Sequence, residues 1–329
     1  MSRLSSCRAG FRACLACALA ALLAPTFGCS SRHDVTRPPD LTGREPPQFV
    51  LAWGTIGGLN SQFYVPVGVA VDSAGDVFVA DAGNYRVQKF TRMGVYLGEW
   101  GGNGSAGGRF SGLLGLAVGS GGCVYTTDSD LDRVQKFAGN GAYLLRWGRN
   151  GRLAGEFSGP AGIGAGPDGS IYVADLGNSR IQHFASDSTF LSQWGSTGSG
   201  PERLSEPAGV AVDASGNVYV TDLRSSRVVK FDRHGTYLTQ WGSAGAGKSQ
   251  FGIPYCVAVD DSGNVYVSDF SNQRIQEFSG SGAYLTGWGS AGSGDGQFLG
   301  PMGIAVDDSG NVYVADTYNN RIQKFAPRR

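Results

Sequence analysis

One interval governs this chain from about residue 49 onward. Asp81, Asp128, Asp175, Asp222, Asp269 and Asp316 stand 47 residues apart at every step, with an Arg five places and a Phe nine places behind each. The six tryptophans, Trp53, Trp100, Trp147, Trp194, Trp241 and Trp288, keep the same step. Self-similarity at such a period restricts the fold to a repeat architecture, in which one small unit buries its faces against copies of itself.

The unit reads as strands. In the last copy "GIAV" (303–306) is followed by the turn "DDSGN", the β-branched and aromatic run "VYVAD" (312–316), a four-residue loop and "RIQKF" (321–325). The copy before it continues into "AYLTGW" (283–288), which makes four antiparallel strands, a to d. The 53 glycines, 11% aromatics and 16% charged residues fit short strands joined by glycine turns. Sheets apolar on both faces need neighbours on both sides, and six arranged radially supply them. The expected fold is all-β, a six-bladed β-propeller of four-stranded antiparallel blades. The sixth copy stops at Phe325 without a strand d, and "FVLAW" (49–53) matches "YLTGW" (284–288), so the N-terminal strand is expected to complete the last blade.

The repeated pattern, PxGIAVDxxGNVYVADxxNxRIQKFxxxGxYLxxWG, resembles the NHL repeat, and six copies without insertion or deletion cover residues 48–329. The resemblance implies a six-bladed propeller. Its relatives include secreted bacterial proteins, sensor domains of receptor kinases, an amidating lyase and RNA-binding ubiquitin ligases, so the likeness does not choose a function.

The first 29 residues differ in kind. Arg3, Arg8 and Arg12 precede the apolar run "ACLACALAALLA" (13–24), which is too short for a stable membrane span and reads as a secretory signal. "TFGC" places Cys29 directly after it and resembles a bacterial lipobox, which implies lipidation of Cys29. Residues 30–47, polar and containing proline, are expected to be a flexible tether. Export follows, either to the cell envelope on a lipid anchor, periplasmic or at the outer surface, or as a secreted protein. The only membrane contact expected is that anchor. Cys123 and Cys256, in the second and fifth copies, lie across the ring and are too far apart for a disulfide. Without residues 1–29 the chain carries 24 basic against 27 acidic side chains, which offers no footprint for nucleic acid.

Repeated letters are expected to be scaffold. The tryptophans would pack between blades. Phe63, Phe110, Phe157, Phe251 and Phe298, with Leu204 in the fourth copy, would plug the long d–a loops. Asp316, Asn319 and Arg321, with their equivalents, would hold the b–c turn through a partly exposed ion pair of about 0.2–1 kcal/mol. Function should reside where copies disagree. Thr317, Tyr318 and Asn320 are such letters. Arg224, Tyr255, Phe270, Met302 and Tyr318 together form an expected contact patch for a protein or glycan of the envelope.

Enzyme readings meet specific obstacles. The strand-a residues near the axis, such as Val69, Val71, Val210, Val257, Ile304 and Val306, are apolar, and His33, His183 and His234 cannot meet there. No metal, cofactor or catalytic residue is expected. The alternating carboxylates Asp128, Asp130 and Asp132 are a weak calcium candidate, because Arg133 and Gly139 stand where a calcium loop needs Gly and Glu. The reading is a monomeric, non-catalytic binding platform or scaffold. The alternative is a propeller-type lyase or hydrolase with its site at the axial mouth of the b–c loop face.

Overall fold

The computed structural model describes residues 44–196 and 198–328. The expected signal peptide, Cys29 and all of the expected tether up to residue 43 lie outside the described residues. Six four-stranded antiparallel sheets are arranged around one axis, so the expected fold is observed. Blade 1 runs through Pro66–Val71, Val77–Asp81, Arg86–Phe90 and Tyr96–Gly101 as strands a to d. Blade 6 takes strands a to c from Pro301–Val306, Val312–Asp316 and Arg321–Ala326, and its strand d is Gln48–Trp53. Gln48 faces Ala326 and Trp53 faces Ile322, with a bulge between Phe49 and Leu51, so hydrogen bonds join the chain ends and close the ring.

Burial follows from the repeated letters. Each strand b is buried along its whole length, because blades pack against both of its faces. Each tryptophan sits on strand d of one blade and reaches the phenylalanine ending strand c of the next, with ring centroids 5.7 to 5.9 Å apart. Such pairs contribute about 0.5–1.5 kcal/mol beyond their buried area. The loop phenylalanines meet the same strand-c rings at 5.6 to 5.8 Å and are fully buried, as plugs should be. Close approach explains the glycine of "PxG": a Cβ on Gly162 would lie 2.1 Å from the Ala208 carbonyl oxygen of the next strand a. Cys256 takes that place in blade 5, and both it and Cys123 are free thiols.

The b–c turn cluster departs from its expectation. All six aspartates are fully buried, and each accepts a hydrogen bond from its Arg Nε at 2.7 to 3.3 Å. The carboxylate is therefore buried in every copy and the arginine with it in blades 1 to 3, whereas Arg227, Arg274 and Arg321 stay partly exposed. In blade 3 the Asp175 carboxylate also accepts from the Ser158 amide at 2.8 Å, from Asn178 at 2.9 Å and from Gln182 at 3.1 Å. Arg180 in turn donates to the carbonyls of Arg152, Leu153 and Glu156. The fixed letters hold the preceding d–a loop as well as their own turn. That loop covers the cluster and excludes water. Burial pushes the carboxyls of Asp81, Asp128 and Asp175 up, against the pull of the guanidinium, amide and backbone donors.

Candidate functional site

The strands a leave an axial channel of about 200 Å³, lined by valine, leucine, isoleucine, alanine and glycine, with Tyr255 and Cys256 as its polar exceptions. Among the described residues no group of three or more His, Cys, Asp or Glu is placed to hold a metal. The donor set at the axis therefore does not fit a metal ion, and no step can be routed through one. Cys256 is partly buried between blades 5 and 6, and desolvation pushes its thiol up, away from the thiolate a nucleophile needs.

The residues expected to form a contact patch divide into three groups. Tyr255, Phe270 and Tyr318 do come together, with ring centroids 6.3 Å apart for the first pair and 6.0 Å for the second. They form a row from the channel mouth along the b–c face. Phe270 and Met302, however, are each only 1% exposed, which corrects their assignment as surface contacts. They belong to the cluster packed under the mouth, where Phe270 is the support between two half-buried tyrosines. Arg224 is exposed on the b–c loop of blade 4 and makes no ion pair among the described residues.

Two non-repeated letters bind the next blade. Thr317 is fully buried and donates to the Pro66 carbonyl at 2.8 Å, and Asn320 accepts from the Val65 amide at 3.0 Å, both joining blade 6 to blade 1. Of the three letters left open by the repeat, Tyr318 is the one that joins the aromatic row, partly buried against Phe270. Sequence reasoning missed the loop from blade 6 into blade 1, where Ile56, Leu59 and Tyr64 are 66%, 73% and 51% exposed. Its signal was legible: the other d–a loops carry polar or glycine residues at most of these places. Val65 of this loop is tied to the turn bearing Tyr318 and Tyr64 lies against Gly83 of blade 1, so its exposed apolar groups share the b–c loop face with the aromatic row.

The calcium candidate does not assemble. Asp128 is turned into the blade onto the amides of Ser111 and Gly112, Asp130 is exposed, and Asp132 accepts from Asn150 at 2.9 Å and Gly159 at 2.7 Å. Millimolar calcium is expected to leave the thermal midpoint unmoved; an upward shift that saturates with calcium would restore the site.

Comparison with known proteins agrees with this architecture. The NHL repeat model matches residues 63–90, 251–278 and 298–325, and a model of the SMP-30/gluconolactonase/LRE-like region matches residues 115–248. A 46-residue stretch is 48% identical to the human E3 ubiquitin-protein ligase TRIM32; it makes up 14% of this chain and 7% of that protein. A streptogramin B lyase structure superposes with a TM-score of 0.60 at 14% identity over 84% of this chain and 98% of its own. A gluconolactonase from Xanthomonas campestris gives 0.61 at 15% identity over 89% and 99%. A protein of unknown function from Bacteroides thetaiotaomicron gives 0.64 at 18% identity over 87% and 74%. At these identities the structural likeness speaks for the fold alone. The period, the blade geometry and the matched repeats agree: the chain carries NHL repeats and closes as a six-bladed β-propeller.

Proposed function

We propose that this propeller is a non-catalytic binding platform, exported to the cell envelope on a lipid-modified Cys29, and that it holds a protein partner on its b–c loop face. The observation that carries the reading is the row of Tyr255 and Tyr318 over buried Phe270, with exposed Ile56, Leu59 and Tyr64 in a loop on the same face. Rigid aromatic side chains at a partly desolvated mouth are the groups that dominate protein interfaces. Aliphatic Ile56 and Leu59 favour a protein over a glycan, whose hydroxyls need polar partners beside the rings.

The test is crosslinking and capture from native envelopes with the parent and with a Tyr255→Ala/Tyr318→Ala variant. Phe270 is left intact because it supports the fold. A protein captured by the parent is expected to fall at least about tenfold in the variant, as loss of two anchors of about 1–2 kcal/mol each implies. The thermal midpoint should stay within a few degrees. Equal capture by both proteins removes the site.

A second reading, a lyase or hydrolase at the axial mouth, rests on the SMP-30/gluconolactonase/LRE-like match over residues 115–248. Against it stands the apolar axis, with Cys256 its one potential nucleophile. Stoichiometric metal in the purified protein, with lactone or cyclic-ester cleavage, would decide for it.

A further inference from the structure

Blades are joined on their outer side by a lysine at four of the six interfaces, and the interfaces of blades 3 and 5 depart from it. The middle of strand c carries Lys89, Lys136, Lys230 and Lys324 in blades 1, 2, 4 and 6. Each lies over the strand-b aromatic ring of its own blade at 4.8 to 5.4 Å. Each also donates to a carbonyl in the c–d turn of the next blade: Gly139, Ser186, Gly280 and Arg92, respectively. In blade 3 His183 keeps the ring contact, stacking on Tyr172 at 4.3 Å, while the Tyr172 hydroxyl reaches the Arg233 carbonyl of blade 4.

Blade 5 reverses the charge. Glu277 occupies the lysine position and is only 1% exposed, where a carboxylate without a counterion is strongly disfavoured. The blade it faces is the one with no covalent c–d turn, since strand c of blade 6 runs out at Ala326 and strand d enters at Gln48. Arg44 fills that gap. Its Nη2 lies 2.7 Å from Glu277 Oε1, an ionic contact without hydrogen-bond alignment. Beside it Arg328 meets Glu45 at 3.0 Å on the surface. Residues 44–47, read from sequence as the end of a flexible tether, thus carry specific contacts to both blade 5 and the C-terminal segment.

We propose that Arg44 is the clasp of the ring: from ahead of the first strand it supplies the cation that strand c contributes elsewhere, and so holds the free end of the closing strand against blade 5. Charge reversal at Glu277 is then an adaptation to the one interface whose partner is a chain end instead of a turn. Burial pushes the Glu277 carboxyl up, and Arg44 is the strongest influence opposing it, as such a pairing requires.

The test uses the full chain, four variants of the pair and one control. Arg44→Ala and Glu277→Lys should each lower the thermal midpoint by roughly 5–10 °C, through a buried carboxylate left alone or two cations brought together. Arg44→Glu/Glu277→Lys, which reverses the pair, and Arg44→Ala/Glu277→Gln, which removes the charge, should each recover most of that loss. Hydrogen exchange should quicken in Gln48–Trp53 and Arg321–Ala326 of Arg44→Ala before it does in blades 2 to 4. An Arg44→Ala midpoint equal to the parent's overturns the proposal. So does a loss that neither double variant repairs, because that would be lost packing and not charge pairing. Arg328→Ala, at an exposed pair, serves as the control expected to change little.

Discussion

Replacing Asp175 by alanine is expected to destabilise the ring by about 3–5 kcal/mol, the cost of leaving a buried partner charge without its counterion. Arg180 is only 3% exposed, and its Nε lies 2.7 Å from the carboxylate that would be removed. The Ser158 amide, Asn178 and Gln182 would lose the same acceptor, so the loop from Gly151 to Ser158 would lose the anchor of its own carbonyls and amides. For a domain of this size the loss corresponds to a fall in midpoint of roughly 6–15 °C. Urea denaturation and limited proteolysis would measure both parts, with new cleavage expected in the 151–158 loop. A contrasting change is Arg149→Ala, at an ion pair whose Arg is 79% exposed, which should leave the midpoint almost unmoved. If the two variants unfolded alike, the cluster would be the surface feature that sequence reasoning took it for.

The second large effect concerns closure. A chain beginning at Gly54 lacks Gln48–Trp53, and is expected to lose its cooperative transition and to self-associate. Strand c of blade 6 would become an open edge carrying hydrogen-bonding groups now paired from Gln48 to Trp53. Phe325 would lose Phe49 at 6.0 Å, and Phe90 and Tyr313 would lose Trp53 at 5.9 and 6.3 Å. The Trp53–Phe90 contact joins the last blade to the first, and the other two hold strand d within the last blade. Thermal scans with light scattering would read the outcome. A monomer melting near the parent would mean that the ring is held by its strands a and needs no closing strand.

These two effects lie at opposite ends of what could be read without a structure. The closing strand was legible because "FVLAW" repeats "YLTGW", and a missing strand d at the other end leaves one place for it. The aspartate cluster was located correctly but valued as a partly exposed turn, because exposure depends on a loop that begins more than twenty residues earlier. Phe270 and Met302 were misplaced for a related reason. Variation among copies marks freedom from the repeat, yet both side chains fill space under the channel mouth, against neighbours from other blades. Thr317 differs from its equivalents and bonds to Pro66 at the start of the ring, whereas Asn320 makes the bond to the next blade that Asp132 and Gln273 also make. Tyr255 and Tyr318 are marked by their departure from the repeat, and the structure places both against Phe270.

The sequence alone determined the number of blades, the strand order, the manner of closure and the apolar axis, since each is written in a local pattern recurring every 47 residues. Only the tertiary structure decided which side chains are buried, which of the variable residues touch, and that Arg44 answers Glu277. Periodicity specifies what each blade presents to an average neighbour. Exposure and charge pairing depend on the particular neighbour, and at the seam between the two chain ends that neighbour has no counterpart elsewhere in the ring.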